Sequence, residues 1–323
     1  MTKIAVLGPI PRDTIYTYKD EMIQKYGCVT HPVIALSKLL GEEGQVVPVS
    51  HVHQKDYKGI LDVFAPYTNI DTQYISDADD RGTVIELRFL DQNNRLEKQT
   101  ACMKPLLPRD VAGLEDADAY VFVPITDFEI SLSTLKYLKE KGKGTIIFDA
   151  HGPTSAMSIS GERHRKFWVD MDEWLPYIDV LKMNLEESQV CWFKNEYEAA
   201  EMTGYDEEST DHLDDMAAHV LEYGVTYFYV TLDSRGCVMY FKDPKGQVKK
   251  EFITSVFMQH VIDTTGCGDS FAGGLAYGFS RFGNPVKAAQ YANTLGALRT
   301  QGKTFEVFKT RDETARIIAE HYD

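Results

Sequence analysis

The stretch Val261–Phe279, VIDTTGCGDSFAGGLAYGF, places two glycines, a carboxylate and the start of a small-residue helix within a few positions of one another. Gly266 and Gly268 permit a turn in which successive backbone N–H groups, with those opening a helix near Ser270, converge on a point where the helix dipole is also positive. Such a point binds an anion. Asp269 falls at the same place, and a carboxylate there suits a general base that takes a proton from a hydroxyl as the hydroxyl attacks phosphorus. A glycine-rich turn with an aspartate cap accounts for each of these residues singly, but not for the whole pattern. Gly273, Gly274, Ala276 and Gly278 leave a smooth helix face for close packing.

A site of this kind needs a scaffold. Short β-branched or aromatic runs at residues 4–8, 46–50, 119–125, 144–150, 177–184 and 225–232 predict strands, and most alternate with amphipathic segments. Pro32–Leu40 opens on proline, lines up Val33, Leu36 and Leu40, and stops at Gly41; Ser133–Lys141 repeats the pattern before Gly142. This alternation predicts βαβ units and a mostly parallel sheet with helices on both faces. Residues 68–105 break the rhythm with polar alternation and Asp-Asp-Arg-Gly and Asp-Gln-Asn-Asn turns, the pattern of an antiparallel insertion that could serve as a lid or as a plain surface hairpin. The acidic run at 206–215 reads as a solvated loop entering a helix N-terminus.

Composition narrows the partners. The 323 residues carry 34 Lys+Arg and 49 Asp+Glu, a formal charge of −15, which disfavours broad contact with nucleic acid or an anionic membrane. With 43% hydrophobic and 26% charged residues the chain is expected to be globular and soluble. Cys28, Cys102, Cys191, Cys237 and Cys267 form no CxxC pair or zinc-type cluster, and no signal-peptide core or membrane-length apolar stretch is visible. A cytoplasmic protein acting on a small molecule is the resulting expectation.

Asp263-Thr264-Thr265-Gly266-Cys267-Gly268-Asp269-Ser270-Phe271, followed by Gly273-Gly274, resembles the C-terminal signature of the ribokinase, or PfkB-like, family of sugar and nucleoside kinases. Lys182-Met183-Asn184-Leu185-Glu186-Glu187 is similar to the family's NxxE element. Asp13, Gly27, Leu40-Gly41, Lys55-Asp56 and Gly59 agree more loosely, so the likeness extends over nearly the whole chain.

The resemblance implies a ribokinase-like α/β fold over 1–323, with a small β lid from about 12–20 and 68–105. It implies ATP-dependent phosphorylation of a hydroxyl, a primary alcohol in the first instance, on a sugar or sugar derivative. Asp269 is then the catalytic base, and the amides of Gly266, Cys267 and Gly268 form the anion hole. Asn184 and Glu187 would organise Mg²⁺ through its waters, although Asn followed three residues later by Glu is also a helix capping box. Thr231, Asp233, Gly236 and Asn293 would line the nucleotide site, with Asp233 standing where the family has Gly. Asp263 matches an acid whose region binds a monovalent cation in several relatives, which makes K⁺ a candidate cofactor.

The acceptor side departs further from the family, with Gly27-Cys28 in place of a Gly-Gly pair and Pro32 in place of an Asn. Asp13 remains as an acceptor for two hydroxyls, and a substrate other than ribose is expected. A nucleoside acceptor is the alternative, with Tyr16, Tyr18 and Tyr74 available to stack on a base; a regulator without turnover is the rival from another class. Lid sheets of two copies could pair into a homodimer. His151, following Asp149 at a strand's carboxyl end, is a further substrate contact. His51 and His53 read as strand-edge histidines, Arg163–Lys166 as a solvated helix face against a phosphate grip, and Cys267 has no evident base to make it a nucleophile.

Overall fold

A computed structural model describes residues 1–17, 19, 21–90, 95–192 and 206–322. The strands in chain order are β1 (Thr2–Leu7), β2 (Arg12–Tyr16), β3 (Met22–Tyr26), β4 (Gly44–His51), β5 (Ile75–Ser76), β6 (Val84–Phe89), β7 (Arg95–Ala101), β8 (Ala119–Phe122), β9 (Thr145–Asp149), β10 (Ser155–Met157), β11 (Arg163–Arg165), β12 (Val180–Asn184), β13 (Tyr227–Thr231), β14 (Gly236–Lys242) and β15 (Val248–Thr254). The helices are α1 (Thr30–Leu40), α2 (Gln54–Phe64), α3 (Leu132–Lys141), α4 (Met171–Trp174), α5 (Leu185–Cys191), α6 (Leu213–Glu222), α7 (Cys267–Phe282), α8 (Pro285–Arg299) and α9 (Arg311–Tyr322).

Nine of the strands form one sheet in the order β15-β14-β13-β12-β9-β8-β1-β4-β5, parallel from β13 to β5 with an antiparallel edge at β14 and β15. Its central strands are apolar without interruption because both faces are covered. On β1, Ile4 and Val6 join the core beneath α1, α7 and α8, while Ala5 and Leu7 join the opposite core with Leu135 of α3, Trp174 of α4 and Met216 of α6. The expected helix stops hold: Gly41 has φ +53° and returns its N–H to Ser37, and Gly142 follows α3. The small-residue face of α7 packs on α8 so closely that a Cβ on Gly274 would lie 2.4 Å from Ala292 Cα, and one on Gly278 2.3 Å from Ala288 Cα.

A second sheet has the order β3-β2-β6-β7. It differs from the expected insertion in three respects. Residues 68–76 belong to the large sheet, where Ile70 bridges Val46 and β5 pairs with β4, so the small sheet's second segment starts at Val84. Residues 22–26 supply an additional strand, and β2 pairs with β6 in parallel whereas the β2–β3 and β6–β7 pairs are antiparallel. Period-two alternation is the same in either sheet and cannot tell which one a strand will join. Tyr18 and the turn at 91–94 lie outside the described residues.

The hairpin β10–β11 continues from this sheet, Gln99 donating to the Gly161 carbonyl at 2.7 Å. Arg163–Arg165 is therefore a strand, contrary to the helix face expected from its charges. With Arg163 and Arg165 on one side and His164 exposed on the other, the basic cluster divides between site and solvent. His51 faces Asp80 and Asp110, and His53 caps α2 through Lys55 N–H. No described helix is long and apolar enough to cross a membrane.

Candidate active site

The carboxyl ends of the parallel strands and the small sheet enclose a cavity of about 280 Å³, at the edge where open α/β sheets bind ligands. Asp13 and Cys28 enter it from the N-terminal segment, Asp149 and His151 from the end of β9, Lys182, Asn184 and Glu187 from β12 and α5, and Arg163 and Arg165 from β11. Opposite the small sheet's Ile85, Leu87 and Glu97, the turn Thr264–Gly266 with Gly268 and Asp269 forms a further wall.

Gly266, at φ +85°, is the N-cap of α7, and its missing Cβ leaves room for the His31 ring, which would otherwise lie 2.3 Å away. Cys267 N–H donates to the Thr264 carbonyl at 3.2 Å, so this amide is partly engaged within the turn. The Gly266, Gly268 and Asp269 amides find no acceptor among the described residues, as expected for a helix start that faces an anion. Of the expected Gly266–Gly268 set, the amides of Gly266 and Gly268 are thus free and that of Cys267 is partly engaged, and the Asp269 amide is free beside them. Burial pushes the Cys267 thiol up to about 12, which leaves it a spectator rather than a nucleophile.

Asp269 lies at the floor of the cavity with its carboxyl raised to about 6, first by burial and then by the charge of Asp149. Cys28 Sγ lies 3.6 Å from Asp269 Oδ1 and 3.1 Å from the Val123 carbonyl. Across the cavity Asp13 is raised to about 7 by burial and by Asp269 and Glu97, with Lys25 working the other way. Gly27 is required here because a Cβ would lie 2.4 Å from Asp13 Oδ2. Gly27→Ala is therefore expected to displace the Asp13 carboxylate and raise KM for the acceptor about tenfold or more while donor KM stays within about twofold; steady-state kinetics with each substrate varied in turn checks this.

Beside the anion turn, Lys182 Nζ pairs with Asp149 Oδ2 at 2.9 Å, the two side chains 4% and 3% exposed. Burial works against the ammonium, but Asp149 and Glu187 keep it charged. Glu187 accepts Asn184 N–H at 2.8 Å and meets His151 Nδ1 at 2.9 Å, with Arg165 at 3.5 Å. Arg163 Nη2 lies 2.8 Å from His151 Nε2. An arginine can only donate and an ionised carboxylate only accept, so His151 accepts at Nε2 and gives its Nδ1–H to Glu187, the closer of that atom's two neighbours, with Arg165 Nη1 at 3.3 Å. Glu187 pays for its burial with these donors, and despite desolvation Lys182, His151 and Arg165 hold its carboxyl well below the ordinary range.

Asn184 Oδ1 accepts Glu187 N–H at 2.7 Å, so both arms of the capping box are formed. With Glu187 engaged in this way, a Mg²⁺ in the cavity would take its oxygens chiefly from phosphate and water, which suits that ion. No group of three or more His, Cys, Asp or Glu able to hold a metal occurs among the described residues.

Several expected nucleotide residues lie apart from this cluster. Thr231 pairs with Asn184 on the neighbouring strand and shares its edge, but does not line the cavity. Asp233 adopts φ +51° in the turn to β14, and Gly236, at φ +122°, lies against the Ile253 carbonyl. Asn293 is buried with its amide donating to the Ile253 and Thr254 carbonyls; it fastens α8 to β15. Asp263 stands behind the turn, bonded to Lys25 and Arg299. Conversely, Lys182 and Asp149 line the cavity without standing out in the sequence, and Arg163 and Arg165, whose charges favour a solvated helix face over a phosphate grip, line it as well. A lysine inside the apolar run VLKMN and an aspartate closing IIFD were the available signals.

The family model for pfkB family carbohydrate kinases matches residues 66–305. The chain belongs to the pfkB carbohydrate kinase family. Among solved structures, a pyrophosphate-dependent kinase in the ribokinase family, in a sulfate complex, gives a TM-score of 0.73 at 17% identity over 97% of this chain and 99% of its own. A fructokinase from Vibrio cholerae bound to fructose, ADP and potassium ion gives 0.72 at 16% identity, covering 98% of each chain. The ribokinase from Thermotoga maritima gives 0.69 at 19%, covering 99% of this chain and all of its own (100%). At these identities the likeness establishes the ribokinase-like fold of this pfkB kinase. No curated protein matches it by sequence.

The two raised carboxyls give this pfkB kinase a definite pH dependence. With Asp13 near 7 and Asp269 near 6 in the folded state against 3.8 ordinarily, the native protein holds more protons than the unfolded chain between about pH 4 and 7. Stability contributed by these groups is therefore present at low pH and lost as pH rises through that window. A general base works only when ionised, so for Asp269 in that role kcat/KM is expected to run the opposite way, climbing from about pH 5 to a plateau above about pH 7. A profile flat over that range contradicts the assignment.

Proposed function

We propose that this kinase transfers the γ-phosphoryl group of ATP to a hydroxyl, in the first instance a primary alcohol, of a small sugar or sugar derivative. The observation that carries this reading is Asp269: a buried carboxylate at the N-terminus of α7, beside free amides and opposite Asp13 in one cavity. Asp13 accepts hydrogen bonds from the acceptor's hydroxyls and sets its orientation; Asp269 takes the proton of the attacking one. The phosphoryl oxygens lie against the α7 amides, with Lys182 close by, its Nζ 3.1 Å from the position of a Cβ on Gly268. Mg²⁺, when bound, supplies charge neutralisation at the donor's phosphates. Ile85, Leu87 and Glu97 of the small sheet wall the acceptor end, which supports a lid that excludes water as a competing acceptor.

The acceptor end favours a polyol over a nucleoside. Tyr16 stacks under Arg88 at 5.0 Å, Tyr74 bonds the Ala112 carbonyl, and neither lines the cavity. Met22 and Leu96, exposed on the edge strands of the small sheet, support pairing of two copies through it.

A second donor is favoured by a specific observation. Asn293 is spent on β15 carbonyls, while Lys182, Arg163 and Arg165 line the cavity, each beside a carboxylate, and their N–H groups would also suit a short donor such as pyrophosphate. A thermal-shift and donor-consumption screen over pentoses, hexoses, hexose phosphates, inositols and nucleosides, with ATP and pyrophosphate in parallel, decides among these. The expected result is stabilisation and turnover with a neutral polyol. Turnover with nucleosides alone would move the acceptor assignment, and no turnover in any pairing would favour a regulator.

A further inference from the structure

Vibrio fructokinase is solved with potassium ion, and the family resemblance points to Asp263 for such an ion, but the residues around Asp263 do not fit one. Its Oδ1 accepts Thr265 N–H at 2.9 Å, and its Oδ2 already meets two fixed cations, Lys25 Nζ at 2.9 Å and Arg299 Nη2 at 2.8 Å. Two neighbouring backbone oxygens are spent as well. Thr300 O accepts Ile262 N–H at 2.8 Å and Asp263 N–H at 3.4 Å, and Gly302 O accepts Arg299 Nη1. A potassium ion coordinates several oxygens. Here it would find each of these engaged, and would sit against an ammonium and a guanidinium.

The two cations reach the anion turn itself. Arg299 is 1% exposed and donates Nε–H to His31 Nδ1 at 3.1 Å. That bond needs a neutral imidazole, which burial and then Arg299 enforce by holding the His31 pKa well down. The His31 ring in turn packs under Gly266. Lys25 arrives from β3, directly across the strand pair from Asp13. One ammonium thus ties the small sheet and the acceptor-binding strand to the residue that opens the anion turn.

Taking the anion turn as the phosphate site proposed above, we infer that Lys25 and Arg299 are a built-in replacement for a monovalent cation: they neutralise Asp263, hold the turn in place, and make phosphate binding independent of K⁺. Potassium is accordingly not a cofactor of this protein.

Two measurements test this. Crystals grown in RbCl should show no anomalous peak at Asp263. ADP and pyrophosphate affinities, measured by calorimetry in KCl and in tetramethylammonium chloride at equal ionic strength, should agree within about twofold. Lys25→Met should lose about tenfold in affinity in tetramethylammonium and regain it in KCl, while Lys25→Arg should behave as the unsubstituted protein. A rubidium peak at Asp263, a gain of about tenfold from K⁺ in the unsubstituted protein, or an unchanged Lys25→Met would each overturn the inference. The rubidium arm reads the cation site whether or not a phosphate donor binds and does not involve a variant. Failure of phosphate binding in both salts would count against the anion-site reading alone.

Discussion

Replacing Asp269 by Asn should lower kcat by about 10²–10⁴-fold, the usual contribution of a positioned general base, with donor and acceptor KM changed by less than about threefold. The expectation rests on placement, because the carboxyl is buried at the start of α7 with no salt-bridge partner among the described residues to hold it for structural reasons. It also has a second consequence of opposite sign. The native state keeps Asp269 ionised above about pH 6 against burial and against Asp149. Removing that charge should therefore raise stability at about pH 8 by on the order of 2 kcal/mol, an advantage that disappears below about pH 3, where both states are protonated. A purely structural aspartate would behave differently: its loss would lower the melting temperature and leave turnover in proportion to the folded fraction. Steady-state kinetics and thermal melts at the two pH values separate these outcomes.

Lys182→Met should be the most destabilising single change in the site. Its ammonium lies between Asp149, at 2.9 Å and 3% exposed, and the fully buried Glu187. A methionine fills the space but leaves both carboxylates without their main counter-charge, and breaking a buried pair in this way costs about 3–5 kcal/mol. Adding Asp149→Leu should return part of that loss, since an apolar pair of similar size avoids the stranded charge. Activity should not return, because Lys182 also lies beside the anion turn. Denaturant midpoints for the two single variants and the double variant measure the coupling directly. Additive losses would show that the pair is not the cause.

Much of this arrangement was visible in the residues alone. The run of glycines and small residues from Gly266 to Gly278 has few structural uses other than a tight turn feeding a closely packed helix, and that is how it folds, against α8. The central strands were equally plain, because doubly covered strands are apolar throughout. What sequence pattern did not reveal was tertiary in origin. Arg163–Arg165 looks like a charged helix face until the hairpin is placed next to β7, where a two-residue period sends alternate arginines into the cavity. Residues 68–76 alternate like a lid strand but extend the large sheet. Asn293 lies on the helix that the family likeness pointed to, yet its amide is claimed by two backbone carbonyls. The composition gave its own incomplete signal: a charge of −15 argues against polyanionic partners in general, while free amides at a helix start, as at α7, can hold a phosphate group without any basic surface.

The central claim is that this cavity moves a phosphoryl group onto a hydroxyl by way of Asp269. Phosphorus NMR of the protein incubated with donor and the best polyol from the screen tests it most directly. A phosphomonoester resonance should grow with time, be absent without the polyol, and form at least about a hundredfold more slowly with Asp269→Asn. Ester formation by Asp269→Asn at the unsubstituted rate would contradict it.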